Sequence, residues 1–181
     1  MAGRQVALLR GINVGRAKRV AMADLRALVE DLGYGEVRTL LNSGNVVFTN
    51  PRGTPRDAAV RIEKALATRL GVPSRVTVLS ADELAAAVAE NPLLEVAVDH
   101  SRLLVAVLKD PADRRRLDSL IGQDWAPEAL ALGARVAYLW CPEGILASRL
   151  SEAVGRALGD AVTTRNWATV TKLHALAGQG D

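Results

Sequence analysis

Aromatic residues are scarce in this chain: three Trp, two Tyr and one Phe among 181 residues. Its core must therefore be built from Leu, Val, Ile and Ala. Cysteine occurs once, at Cys141, which excludes an intrachain disulfide framework and any thiolate metal cluster. The two histidines, His100 and His174, are far apart and fit no metal-ligand spacing such as H-E-x-x-H. No metal and no other cofactor is therefore expected. Apolar runs of the ~18 residues that a membrane span needs are missing. The opening Met1-Ala2-Gly3-Arg4-Gln5 has no signal-peptide cleavage pattern, so a cytoplasmic protein is expected. A large excess of one charge is missing too. Twenty-three Lys and Arg against 20 Asp and Glu leave +3, too little to imply a nucleic-acid partner by itself.

What is present is an ordinary globular composition, 49% hydrophobic and 24% charged, in a length that suits one medium domain or two small lobes. Helix ends are legible. Met22, Leu25, Leu28, Val29 and Leu32 recur at helical spacing before Gly33, and Ile62, Leu66 and Leu70 before Gly71. Pro111 opens a third helix whose Leu117, Leu120 and Ile121 are expected to face inward before Gly122. Leu146, Leu150, Val154 and Leu158 form an i, i+4 stripe before Gly159. Trp167, Val170, Leu173 and Leu176 form another before Gly178. A shorter helix, Ala81 to Glu90, stops at Asn91-Pro92.

Between the helices lie β-like runs at 5–10, 36–41, 45–49, 75–79, 102–108, 128–132, 135–140 and a short one near 161–163. Asn42-Ser43-Gly44 and Gly133-Ala134 are tight enough to join two pairs as hairpins. Written in order, residues 4–79 read βαββαβ, and residues 102–163 read βαββαβ again. That is the split βαβ pattern, so the expected fold is α+β: two ferredoxin-like α/β plaits in tandem. The expected lobes are residues 1–80 and 101–181, joined by a helix and loop at 81–100, with a C-terminal helix appended. In a split βαβ the first two strands run the same way. The loop leaving the first strand and the hairpin after the second therefore share one end of the sheet. Here these are Arg10–Arg19 and Asn42–Asn45.

Three segments have residue types suited to chemistry. Arg10-Gly11-Ile12-Asn13-Val14-Gly15-Arg16-Ala17-Lys18-Arg19 carries four positive charges and no acid, and it leads into a helix start. Its glycines permit close backbone approach to an anion, and the helix dipole favours one. It matches neither the Walker A nor the dinucleotide fingerprint, and it reads equally as a basic turn. Leu41-Asn42-Ser43-Gly44-Asn45 suffices as a hairpin turn, and Ser43 has no G-x-S-x-G frame of a hydrolase nucleophile. In Thr163-Thr164-Arg165-Asn166-Trp167, Asn166 suits an N-cap and Trp167 starts an apolar stripe. Arg165 is expected at that helix N-terminus, where the dipole disfavours a cation unless an anion is near. Arg114-Arg115-Arg116 reads as a solvated face, and Cys141 as packed rather than reactive.

The stretches Ala7–Gly15, Ser43–Phe48 and Thr164–Trp167 together resemble the bacterial proteins grouped as DUF1697. The shared pattern is Arg-Gly-Ile-Asn-Val-Gly-Gly, then Ser-Gly-Asn, then Thr-Arg-Asn-Trp-Asn-Thr. The resemblance implies a tandem of α/β plait subdomains and no assigned biochemical function. Two positions depart from it: Arg16 stands where the pattern has a second Gly, and Ala168 where it has Asn.

Three functional readings follow. The first is a site for an anionic, phosphate- or nucleotide-like small molecule. It would be held by Arg10, Gly11, Asn13, Gly15, Arg16, Ser43, Gly44 and Asn45, with Arg165, Asn166 and Trp167 joining if the lobes fold together. No general base can be named, so no reaction is written. The second is a module that binds the nucleic-acid backbone through Arg16, Lys18 and Arg19. RNA recognition by stacking is disfavoured, because the two central strands offer only Phe48. The third is architectural, with the polar motifs forming a network between lobes.

Overall fold

The structure is a computed structural model and describes residues 3–179. The chain divides into two compact units, Met1–Leu84 with Leu173–Asp181, and Ala85–Lys172. The first contains β1 (Gly3–Leu9), α1 (Met22–Asp31), β2 (Gly35–Leu40), β3 (Asn45–Asn50), α2 (Pro55–Leu70) and β4 (Val76–Ser80). α3 (Ala81–Ala89) follows. The second contains β5 (Leu103–Leu108), a 3-10 helix (Pro111–Leu117), α4 (Asp118–Ile121), β6 (Ala129–Leu132), β7 (Val136–Trp140), α5 (Arg149–Leu158) and β8 (Val162–Asn166). α6 (Trp167–Gly178) closes the chain. Each unit has a four-stranded antiparallel sheet, in the orders β2-β3-β1-β4 and β6-β7-β5-β8.

In the first unit, Ala7 and Leu9 of β1, Val46 and Phe48 of β3, and Val76 and Val78 of β4 face one core. Leu25, Leu28 and Val29 of α1 and Ile62 and Leu66 of α2 cover them. α2 starts where it does because Thr54 and Asp57 form a capping box around Pro55. The bonds that Asp57 accepts from the Thr54 backbone and hydroxyl hold its carboxyl below the usual carboxylate range. The helix ends at Gly71, whose φ of 65° satisfies a left-handed C-cap.

In the second unit, Leu104, Ala106, Leu108, Ala137 and Leu139 pack on Leu117, Leu120, Leu150, Val154 and Leu158. Glu128 and Ser148 set the start of α5. Ser148 Oγ donates to Glu128, accepts from the amide of Ser151 at 2.9 Å, and lies 3.3 Å from Cys141 Sγ. The other carboxylate oxygen of Glu128 accepts from the amides of Arg149 and Leu150. Burial pushes the Cys141 thiol up to about 11, so it is packed and unreactive.

The structure corrects the sequence reading in four places. The Pro111 helix is mostly 3-10, with a single α turn after it, and Ile121 is 53% exposed. Leu146 lies outside α5 and is fully exposed, because the Ser148 cap starts the helix after it. The short strand near 161–163 continues to Asn166. Gly122 does not adopt a left-handed stop, its φ being −81°, and Gly178 is the last residue of α6 rather than a cap beyond it.

Tyr138, fully buried on β7, donates to the carbonyl of Ala87 at 2.6 Å. Ala87 is among the last four residues of α3, whose carbonyls lack helical partners. Tyr138→Phe strands that carbonyl and is expected to cost about 1–2 kcal/mol in urea unfolding at neutral pH. Burial also pushes the Tyr138 hydroxyl up to about 12. A raised phenol gives its full stabilisation below the unfolded value near 10 and loses it as the pH climbs towards 12. Unfolding curves of parent and Phe variant should therefore converge between pH 10 and 12; a gap that stays constant refutes the assignment.

Candidate functional site

The end of the first sheet where β1 stops is built by two turns. Ile12 and Val20 are buried and anchor the two arms of the loop that runs from β1 to α1. Between them Asn13 is a cross-brace. Its Nδ2 donates to the carbonyls of Val20 (2.9 Å) and Asn42 (2.7 Å), and its Oδ1 accepts from the Val20 amide (2.8 Å). Its own amide donates to Lys18 O at 3.0 Å. The tip closes with an antiparallel bridge between Val14 and Ala17, and Arg19 Nη1 donates to Gly15 O at 3.1 Å.

The hairpin between β2 and β3 meets this loop. Leu9 N donates to Gly44 O at 2.9 Å, and the Asn13–Asn42 bond joins the same pair of turns. Gly44 has φ 89°, and a Cβ there would lie 2.8 Å from both Leu9 Cβ and Ile12 Cδ1. Only glycine fits. Asn45 is fully buried; its Nδ2 donates to Leu40 O (2.7 Å) and to Ser43 Oγ (2.9 Å). The residues just before β4 supply a third wall: Arg10 N donates to Arg75 O at 2.9 Å, and Ser74 Oγ donates to Arg10 O at 2.9 Å. Arg75 lies 3.8 Å from Glu63.

The residues singled out in the sequence thus fall into two groups. Asn13, Gly44 and Asn45 are spent on bracing the turns. Gly11, Gly15, Arg16 and Ser43 are exposed, as are Lys18 and Arg19, while Arg10 is half-buried. Past the basic loop, α1 starts at Met22 behind Ala21, an N-cap that makes no side-chain cap bond.

Arg165, Asn166 and Trp167 lie in the second unit. Arg165 stands just before the Asn166 that caps α6, as its sequence setting implied, and is at the same time a residue of β8. It sits on β8 opposite Val105, half-buried, with Nη1 donating to Thr164 O at 3.0 Å. Burial pulls its guanidinium down to about 10. Asn166 caps α6, its Oδ1 accepting from Thr169 N at 2.9 Å. Trp167 is buried at the head of the apolar stripe with Val170 and Leu173.

The sequence reading has no place for Ser74 and treats Leu41 and Arg75 only as hairpin and strand residues. Leu41 holds φ 60° with no local signature for it. Ser74 and Arg75 follow from topology alone, since the strand after α2 lies beside β1.

A mixed α+β chain with two antiparallel four-stranded sheets and a braced, basic turn at one sheet end is the class this geometry defines. The chain belongs to the family described as "Protein of unknown function (DUF1697)", whose profile matches residues 2–138. That span holds the loop and the hairpin; Thr164–Trp167 lies beyond it. A conserved bacterial protein from Streptococcus pneumoniae has a similar solved structure. It is 22% identical over 98% of this chain and 99% of its own, with a TM-score of 0.75, and supports the fold. A protein from Bacteroides thetaiotaomicron matches at 12% identity over 95% of this chain and 97% of its own, with a TM-score of 0.22. No curated protein matches the chain.

The bracing makes a measurable distinction. Asn13→Ala removes three side-chain bonds and leaves a left-handed alanine, and Gly44→Ala forces Leu9 and Ile12 to move. Each is expected to cost about 1–3 kcal/mol in urea unfolding. Arg16→Gln, fully on the surface, should stay within about 0.5 kcal/mol of the parent. Equal effects of all three would contradict the division between bracing and exposed residues.

Proposed function

We propose that the first unit binds a phosphate-bearing small molecule on the exposed rim of the 10–19 loop. The observation that carries this reading is a run of cations with no acid, on a turn fixed in shape before any ligand arrives. Arg16, Lys18 and Arg19 are exposed on that turn, and it opens into the uncapped start of α1. A preset loop loses little conformational freedom on binding, so more of each ionic contact appears as affinity. Exposed amides at a helix start and nearby guanidinium groups both suit a phosphate.

The fold belongs to the same reading. A βαββαβ order with the strand sequence β2-β3-β1-β4, repeated as β6-β7-β5-β8, supports reading the chain as two ferredoxin-like lobes in tandem. We place these lobes at 1–80 and 101–181, joined through α3 and the loop at His100, in a protein working in the cytoplasm. Recognition of RNA by stacking finds no support, since Phe48 is wholly buried and packs on Tyr34 at 4.8 Å. An architectural role is favoured for Asn13, Gly44 and Asn45 by their bonds, and the two readings part at Arg16, Lys18 and Arg19.

Thermal melts test the difference. Inorganic phosphate, pyrophosphate and ATP, added at constant ionic strength, should raise the melting temperature progressively; at 100 times Kd the gain is about 2.7 kcal/mol. The triple variant Arg16→Gln, Lys18→Gln, Arg19→Gln should melt like the parent without anion and lose that gain. A parent unmoved by all three anions, or a variant that keeps the full shift, defeats the proposal.

A further inference from the structure

The two hairpins occupy equivalent places, and the outer strand of each lies at a sheet edge: β2 in the first unit and β6 in the second. An open edge offers unpaired backbone groups to any other strand, and folded proteins usually guard it with charge or a bulge. β2 has both guards. Glu36 and Arg38 are exposed on it, and its register with β3 is broken between Gly35 and Arg38, where Glu36 holds φ 48°. β6 has neither. Its four residues are Ala-Leu-Ala-Leu, and its register with β7 runs unbroken from Ala129 opposite Trp140 to Leu132 opposite Ala137.

The bonding pattern fixes which groups β6 presents. Gly133 N donates to Val136 O at 2.8 Å, which makes that pair a bonded one. Bonded and open pairs alternate in an antiparallel ladder. On the far side of β7 the bonds Leu108 N to Arg135 O and Cys141 N to Arg102 O agree with this alternation. Ala131 and Ala129 therefore bond to β7, and the amides and carbonyls of Leu130 and Leu132 point away from the sheet. Their side chains pack on the core beneath. Ile145 and Leu146 are exposed, just before the Ser148 that Glu128 holds at the head of β6.

We propose that β6 pairs with β6 of a second copy of this chain, antiparallel about a two-fold axis at Ala131. Leu130 of each copy then faces Leu132 of the other, and both outward pairs are satisfied. The strand is neutral, so self-pairing opposes no like charges. Glu128 precedes it and Arg135 follows it. Glu128 accepts from the Ser148 hydroxyl and the Arg149 amide, and Arg135 donates to the Leu108 and Lys109 carbonyls, all of them uncharged groups. Antiparallel pairing therefore brings unlike charges to each end, whereas parallel pairing would bring like ones. A closed pair of this kind uses one patch twice.

Sedimentation over a concentration series tests this. The parent should move from 19.2 kDa towards twice that mass as concentration rises. Ala131 meets its own copy across the axis at a Cβ separation of about 4.5–5.5 Å. Ala131→Lys and Ala131→Glu should each stay at the monomer mass, and an equimolar mixture of the two should regain the doubled mass. Amide exchange on the parent gives a check free of any folding defect in the variants. Leu130 and Leu132 should slow with concentration, while Ala129 and Ala131 stay slow throughout. A parent that remains a monomer, or is a monomer that captures an unrelated extended peptide, overturns the proposal. So do charge variants that associate like the parent, or Leu130 and Leu132 amides indifferent to concentration.

Discussion

Between β1 and α1 most backbone groups of residues 11–21 have no sheet ladder to join, and each must find a partner or water. Asn13 resolves much of that need from one position. Its side chain closes the loop on Val20 and reaches the Asn42 carbonyl of the neighbouring hairpin. The Leu9–Gly44 bond and the close approach of Ile12 to Gly44 join the same two turns. The exposed cations inherit their positions from this brace. A polar residue that looks like a ligand contact is here the reason a contact surface exists.

The brace holds backbone strain. Asn13, Lys18 and Leu41 all have positive φ, and all three belong to the two turns at this sheet end. Such conformations cost of order 1–3 kcal/mol each for residues other than glycine, least for asparagine. Burial of Ile12, Val20 and Asn45 beneath them offsets that cost. One result is an exposed tip with Val14 at 73% and Leu41 at 50% accessibility beside the cations. Apolar and basic groups thus share one small surface.

Periodicity and glycine placement made most elements readable, and the split βαβ order placed the loop beside the hairpin before any coordinates. The failures have separate physical causes. Leu146 keeps the i, i+4 spacing of α5, yet Ser148 bonds to Ser151 N and starts the helix beyond it, so capping outweighed apolar rhythm. Asp110-Pro111 signals a helix start without distinguishing 3-10 from α, because both begin with the same cap. Arg165 sits in a polar run with no strand alternation, and only its pairing with Val105 makes it a strand residue. The roles of Asn13 and Asn45 were hidden because a bracing asparagine and a ligand-facing one look alike until burial is known.

The cap of α5 has a practical consequence. Cys141 is buried under Ser148 and stays protonated at neutral pH, so thiol-directed reagents should pass it by. The chain is in effect cysteine-free to a maleimide while folded. A cysteine introduced at Ala17, on the exposed tip of the basic loop, would then be the single labelling point. A fluorophore attached there reports on that tip without the native thiol having to be removed.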